Sequence, residues 1–207
     1  MYRPPLFTED RLDRLHAVMS STGLATLVTL GAEGLEANHL PLVLDPAAGP
    51  HGTLYGHVAR GNPLWRHGGD VLALFQGPDA YVSPSWYPSK ATTGKAVPTW
   101  NYVAVHAHGR LEVIEEPERL KSLLARLTTR HEAARPHPWA ITDAPADYLA
   151  AQMAGIVGFA LPIQRLEGKA KLSQNRTPED RAGVIAGLRD SGEPAALAMA
   201  EAMTGRD

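Results

Sequence analysis

Side chains able to do chemistry are unevenly spread along this chain of 207 residues. Five of the nine histidines lie between His51 and His108, and eight of the 13 aromatic residues lie between Tyr55 and Tyr102. Flat rings, histidines and glycines in one region can stack on a planar cofactor and hydrogen-bond it. Strands favour aromatic residues in any case, so the enrichment suits an ordinary β protein equally well. Cysteine is absent, which excludes disulfides, thiolate nucleophiles, Cys-ligated zinc and iron–sulfur clusters.

Four segments sharpen this. In Asn38-His39-Leu40-Pro41 a proline interrupts an apolar run, which belongs at a sheet edge or bulge. Backbone groups there are free to meet a ligand, or the proline simply protects the edge. In Gly56-His57-Val58-Ala59-Arg60-Gly61-Asn62-Pro63 a strand ends at Arg60, with a helical turn expected from Pro63. A forked donor beside free N–H groups and a helix start suits a phosphate, though a solvated turn has the same composition.

The third segment runs from Tyr81-Val82-Ser83-Pro84-Ser85-Trp86-Tyr87-Pro88-Ser89-Lys90 through Gly94-Lys95 to Val97-Pro98-Thr99-Trp100-Asn101-Tyr102. Its hydroxyls, lysines and indoles suit a loop that clamps a phosphate and covers a ring, or a mobile surface loop. It is not a P-loop, since Ser89 stands five before Gly94 and Ala96 follows Lys95. Trp86 and Trp100 are expected to be at least partly shielded from water. The fourth, Lys169-Ala170-Lys171-Leu172-Ser173-Gln174-Asn175-Arg176, sets three cations before a capped helix. A solvated basic turn would read the same way.

Two other patterns do not develop. His131-Glu132-Ala133-Ala134-Arg135 starts like a zinc-protease helix, but Arg135 stands where the second histidine belongs. His106 and His108 share a strand face and could ligate a metal or haem, but without acidic or further histidine partners nearby in sequence a structural or hydrogen-bonding role is expected and no metal site is assigned.

The elements that must position these groups are mainly β. Thr8 is expected to cap a helix carrying Leu12, Leu15 and Met19, ending before Gly23. Strands are expected at Leu24–Leu30, Leu35–Leu44, Thr53–Val58 and Val71–Phe75, the first two joined as a hairpin. The clearest is Thr99–Ile114, with Val103, Val105, Ala107, Leu111 and Val113 on one face and Tyr102, His106, His108, Arg110 and Glu112 on the other. Gly109 can absorb a bend in it. Helices are expected from Pro117, from Thr177-Pro178 and from about Glu193 to Met203, with another strand at Ile156–Leu166. The fold class is α+β: an antiparallel barrel of six or more strands with peripheral helices.

Twenty basic against twenty-two acidic residues leave a net charge of −2, which gives no bulk drive toward nucleic acid or an anionic membrane. The apolar stretch Tyr148–Gln164 is broken by Gly155, Gly158 and Pro162 and is too short for a membrane helix. The N-terminus lacks the apolar core of a signal peptide, so a cytoplasmic location is expected.

Taken with Met1-Tyr2-Arg3-Pro4-Pro5, the four segments resemble the PaiB-type family of FMN-binding negative transcriptional regulators, from Met1 to about Leu188. The resemblance implies a split β-barrel that dimerises with FMN between its subunits. It implies a division into a barrel at 1–168, with its N-terminal and inserted helices, and a basic C-terminal part at 169–207 packing on it. By the same analogy His57, Arg60 and Asn62 meet the FMN phosphate, and His39 and Pro41 run along the isoalloxazine. Ser83, Ser85, Lys90, Trp100 and Asn101 come from the facing loop, and Lys171, Gln174 and Arg176 reach in from the other subunit.

No catalytic residue is assigned. No recognition helix or positive charge supports direct DNA binding. The alternatives are an FMN-dependent flavin reductase or oxidoreductase using NAD(P)H, with His57 or His39 as acid or base, and a haem-binding split barrel.

Overall fold

Prolines and glycines divide the chain into its elements. The computed structural model describes residues 1–205. In chain order it holds β1 (Thr8–Glu9), α1 (Leu12–Ser21), β2 (Ala25–Gly31), β3 (Gly34–Leu40), β4 (Val43–Asp45), β5 (Thr53–Ala59), α2 (Leu64–His67) and β6 (Asp70–Val82). There follow α3 (Ser89–Thr93), β7 (Thr99–Arg110), β8 (Glu112–Ile114), α4 (Pro117–Glu132), α5 (Ala146–Ala154), β9 (Ile156–Lys171), α6 (Pro178–Asp190) and α7 (Pro194–Thr204). The sheet is largely antiparallel, in the order β3-β2-β6-β7-β9-β5-β4, with β1 and β8 also on β9. β3 ends that order, where a strand running into Pro41 belongs, because proline cannot donate to a ladder.

The chain forms two compact units, and neither is continuous. One comprises Met1–Val18, Gln76–Val105 and the chain from Glu167 onward; the other comprises Met19–Phe75 and His106–Leu166. The C-terminal part thus shares its unit with two earlier stretches.

In the unit built from Met19–Phe75 and His106–Leu166, β2 and β3 form the expected hairpin, with Gly31 opposite Gly34 across a two-residue turn. β5 pairs with β9 from Thr53↔Pro162 to Ala59↔Ile156. A Cβ on Gly56 would lie 2.6 Å from Leu42 Cδ2, and one on Gly109 would lie 2.3 Å from the Pro162 carbonyl oxygen. Only glycine allows these approaches. α4 begins at Pro117 and is capped by Glu116, whose carboxylate accepts from the amides of Glu118 (3.0 Å) and Arg119 (2.8 Å). Its buried stripe is Leu120, Leu123 and Leu127, packed near Tyr55 and Ile156. One expectation fails here. The ladder breaks at Leu111, so β8 restarts out of phase, with Ile114 buried and Val113 41% exposed.

In the other unit, α6 and α7 close over the ends of β6 and β9. Val82, Tyr87, Leu172, Val184, Leu188, Met199 and Met203 are buried together. Trp86 lies on the glycine face of α6: a Cβ on Gly187 would stand 2.4 Å from its indole, and one on Gly183 would stand 2.1 Å from its carbonyl oxygen.

Two sequence expectations need correction in this unit. Thr8 does not cap α1: it lies in β1, and its hydroxyl donates to the Pro4 carbonyl (3.1 Å). Glu9 instead accepts from the Arg11 amide (3.1 Å) and takes the Arg11 guanidinium in two bonds (2.9 and 2.7 Å). Second, β9 does not stop at Leu166. β1 pairs with it at Glu9↔Gly168 and Thr8↔Lys169, which keeps the backbone extended to Lys171. Lys169 and Lys171 are therefore alternate residues of a strand rather than parts of a turn.

Candidate functional site

Five of the expected ligand-binding residues lie around β3 and β5, and most are already engaged. His39 Nδ1 lies 3.0 Å from the hydroxyl of Thr26, its partner on β2. Pro41 follows β3 at the sheet edge. Arg60 gives Nη1 to Glu115 (2.7 Å), Nε to the Ala154 carbonyl (3.0 Å) and Nη2 to the Ile156 carbonyl (3.2 Å). Asn62 donates to Asn38 Oδ1 (2.6 Å) and accepts from the Leu64 amide (2.9 Å) at the start of α2. His57 differs: its Nδ1 is buried with no hydrogen-bond partner among the described residues, and burial lowers its pKa below the ordinary histidine value.

The other eight lie in the unit that carries α6 and α7. Ser83 caps the single helical turn Pro84–Trp86, its Oγ accepting from the Ser85 amide (3.2 Å) and lying 2.7 Å from the Ser85 hydroxyl. Lys90 is an exposed residue of α3. Asn101 is wholly buried, its amide donating to Ser173 Oγ (3.0 Å) and to Met203 Sδ (3.5 Å). Gln174 accepts from the Leu172 amide (2.6 Å) and donates to the Ala170 carbonyl (2.5 Å), closing the turn in which Ser173 takes a φ of 60°. Gln174 thus holds the backbone in front of α6, and Asn101 holds the Ser173 side chain within that turn.

The remaining three of the eight gather into a cationic, aromatic surface. Trp100 and Tyr102 are alternate residues of β7, and Lys169 and Lys171 are alternate residues of β9. Lys171 Nζ donates to Thr99 Oγ1 (2.5 Å) and to the Trp100 carbonyl (2.9 Å). Lys169 Nζ donates to the Tyr2 carbonyl (3.0 Å) and stands 5.4 Å from the centre of the Tyr2 ring and 5.2 Å from that of Tyr102. Arg176 stacks 4.5 Å above the ring of Tyr87, whose buried hydroxyl has no partner among the described residues. Burial lowers the Lys171 pKa; Lys169 and Arg176 push it the same way, and Tyr102 opposes them. Trp100 is 49% exposed, with its indole N–H on Asp79 (2.9 Å) and its ring edge-on to Tyr81.

Lys169, Tyr102, Thr99 and Tyr2 are not among the residues that the resemblance assigns to the ligand, although the first three lie in the third and fourth segments. The signal was there in the spacing: two-residue alternation across Lys169 and Lys171 is a strand pattern. It was masked by placing the end of the strand at Leu166.

Comparison with known proteins first defines the class. The fold matches the FAD and heme binding protein of Mycobacterium smegmatis with a TM-score of 0.61 at 18% identity, covering 84% of this chain and 78% of that one. It matches the flavocytochrome Anf3 of Azotobacter vinelandii with a TM-score of 0.60 at 14% identity, covering 88% and 78%. The fold is thus the split barrel.

Residues 1–165 match the family model described as "Putative FMN-binding domain". The chain is also 35% identical over 206 residues to the protease synthase and sporulation protein PAI 2 of Bacillus subtilis, covering 98% of this chain and 96% of that protein. This chain belongs to that FMN-binding family, and its cofactor is FMN. Among the described residues no helix is long and apolar enough to cross a membrane.

Proposed function

We propose that the protein is an FMN-binding homodimer in which Lys171 and Arg176, with Lys169 beside them, hold the flavin phosphate, and that any effect on transcription is indirect. The observation that carries this reading is the crowding of Lys171. Burial lowers the pKa of its ammonium; Tyr102 opposes that shift, and two further cations, Lys169 and Arg176, add to it. A phosphate carrying close to two negative charges relieves that repulsion and takes the donors these side chains have left. The Trp100 and Tyr102 rings offer stacking surface on the strand between Thr99 and Arg110. The donor set therefore fits a phosphorylated ring. FMN, when bound, supplies a centre that accepts and returns electrons.

His57, Arg60 and Asn62 suit the phosphate less well. Burial favours the neutral form of His57, Glu115 already neutralises Arg60, and Asn62 is held by Asn38 and Leu64. Support for a dimer comes from Trp100 and Val97, which stand 49% and 65% exposed in the unit that carries the cations. A second copy would cover them. Support for indirect regulation comes from the net charge of −2.

The test is an absorption spectrum of the purified protein with added FMN, together with its mass by sedimentation. A flavin spectrum that stays with a dimer supports the reading. A protein that remains colourless in excess FMN, or a Soret band, contradicts it.

A further inference from the structure

We propose that a hollow beside α1, lying against β7 and β9 and bordered by the end of α7, is a second ligand site, separate from the flavin and shaped for an aliphatic monocarboxylate. The cavity measures about 410 Å³ and is lined chiefly by Leu15, Val18, Val103, Val105, Ala170 and Leu172. That volume falls within the range of small-molecule sites. Leu15, Val105 and Leu172 are buried, and Leu15 sits on Gly168, where a Cβ would collide with its Cδ2. The floor is therefore fixed before anything binds. No aromatic ring is among the described residues that line the hollow. A flat ring would find no stacking partner there, whereas a flexible aliphatic chain finds methyl groups on every side.

The charge at the rim is independent of those walls and selects the head group. Arg14 is half-buried and gives Nη1 to the Gly205 carbonyl (3.0 Å), which covers the carbonyl end of α7 that would otherwise face an anion. Its Nε and Nη2 have no hydrogen-bond partner among the described residues. That edge of a guanidinium takes a carboxylate in two parallel bonds.

The other ionisable groups on the lining narrow the choice. Glu9 already takes the Arg11 guanidinium in two bonds (2.9 and 2.7 Å), and the Lys169 ammonium donates to the Tyr2 carbonyl (3.0 Å). Asp13 is exposed and precedes Arg14 on α1, so it sets a negative charge at the rim. One anionic group can meet Arg14, but a second on the same ligand would meet Asp13. The hollow thus favours a monocarboxylate over a dicarboxylate or a phosphate.

The probes are octanoate, butanoate, octan-1-ol, which has the same length without the charge, and octanedioate, which carries a second carboxylate. Full-length protein with 13C-labelled leucine and valine methyl groups is titrated with each, and Val18→Ile and Leu15→Met identify two of the wall signals. The expected result is a saturable shift of those signals, with octanoate bound about tenfold or more tighter than octan-1-ol. Butanoate is expected to bind about tenfold or more weaker than octanoate, since each methylene that enters adds up to about fourfold, and octanedioate is also expected to be weaker. Arg14→Met is expected to abolish the preference for octanoate over octan-1-ol while octan-1-ol binding stays within about twofold. Ala17→Phe, which fills the hollow from the exposed side of α1, is expected to weaken both. Equal binding of octanoate and octan-1-ol, no saturable shift of the wall methyl groups, or unchanged affinity in Ala17→Phe overturns the proposal. Octanoate bound with unchanged affinity in the presence of FMN supports a separate site, whereas mutual displacement overturns it.

Discussion

Lys171 Nζ donates to the carbonyl oxygen of Trp100 at 2.9 Å, joining a cation on β9 to the residue that carries an exposed indole on β7. Charge and ring surface are therefore held at a fixed spacing by one bond. A ligand with a phosphate at one end and a flat ring at the other can use both without reordering either.

This arrangement makes FMN affinity dependent on pH in a defined direction. The protonated form of Lys171 binds the phosphate, and burial with two nearby cations holds its pKa below the ordinary lysine value. Affinity therefore falls as pH climbs through the lowered pKa, at a lower pH than an ordinary lysine would give. Fluorescence titrations from about pH 7 to about pH 10 are expected to show this fall, and Lys171→Arg to flatten it, because arginine keeps its charge throughout.

Arg60→Ala is expected to leave FMN affinity within about threefold, since its guanidinium already serves Glu115 and two carbonyls. Both members of the ion pair are about half exposed, at 43% and 52%, so the pair itself contributes about 1 kcal/mol or less to stability. Chemical denaturation and FMN titration of this one variant check both statements.

How far the sequence disclosed this arrangement depends on the range of the signal. Local signals were legible. Thr177-Pro178 does start a helix, with the Thr177 hydroxyl accepting from the Asp180 amide, and the β2–β3 hairpin has its short turn. Long-range pairing was not. Nothing near Lys169 shows that Thr8 will lie opposite it and extend the strand, and that pairing turns a basic turn into two aligned cations. Partners also escaped a local reading: Arg60 meets Glu115 55 positions away, and Asn101 meets Ser173 72 positions away. Spacing identified chemically capable side chains but could not tell which were already occupied.

Acid is expected to weaken the fold through His57. Its folded pKa lies below its unfolded value, so the unfolded chain takes up the proton first. Stability from this group is complete above about pH 6.5 and is lost as pH falls from there through the lowered folded pKa. His57→Gln should remove that part of the pH dependence in thermal melts between about pH 5 and pH 8.

Gly187→Ala tests the seat of Trp86. An alanine favours a helix by about 1 kcal/mol, but its Cβ would stand 2.4 Å from the indole. The clash is expected to dominate, with a net loss of about 1–3 kcal/mol. Near-ultraviolet circular dichroism should report the displaced tryptophan alongside the lower melting temperature.

The most direct measurement is FMN binding to Lys171→Met compared with the unaltered protein, followed by flavin fluorescence, with melting curves to confirm that both are folded. Loss of a charge-assisted bond to the phosphate is expected to weaken binding by about tenfold or more, while Arg60→Ala stays near the unaltered value. Equal affinity for the unaltered protein and Lys171→Met, or a large loss confined to Arg60→Ala, would place the phosphate elsewhere and contradict the account.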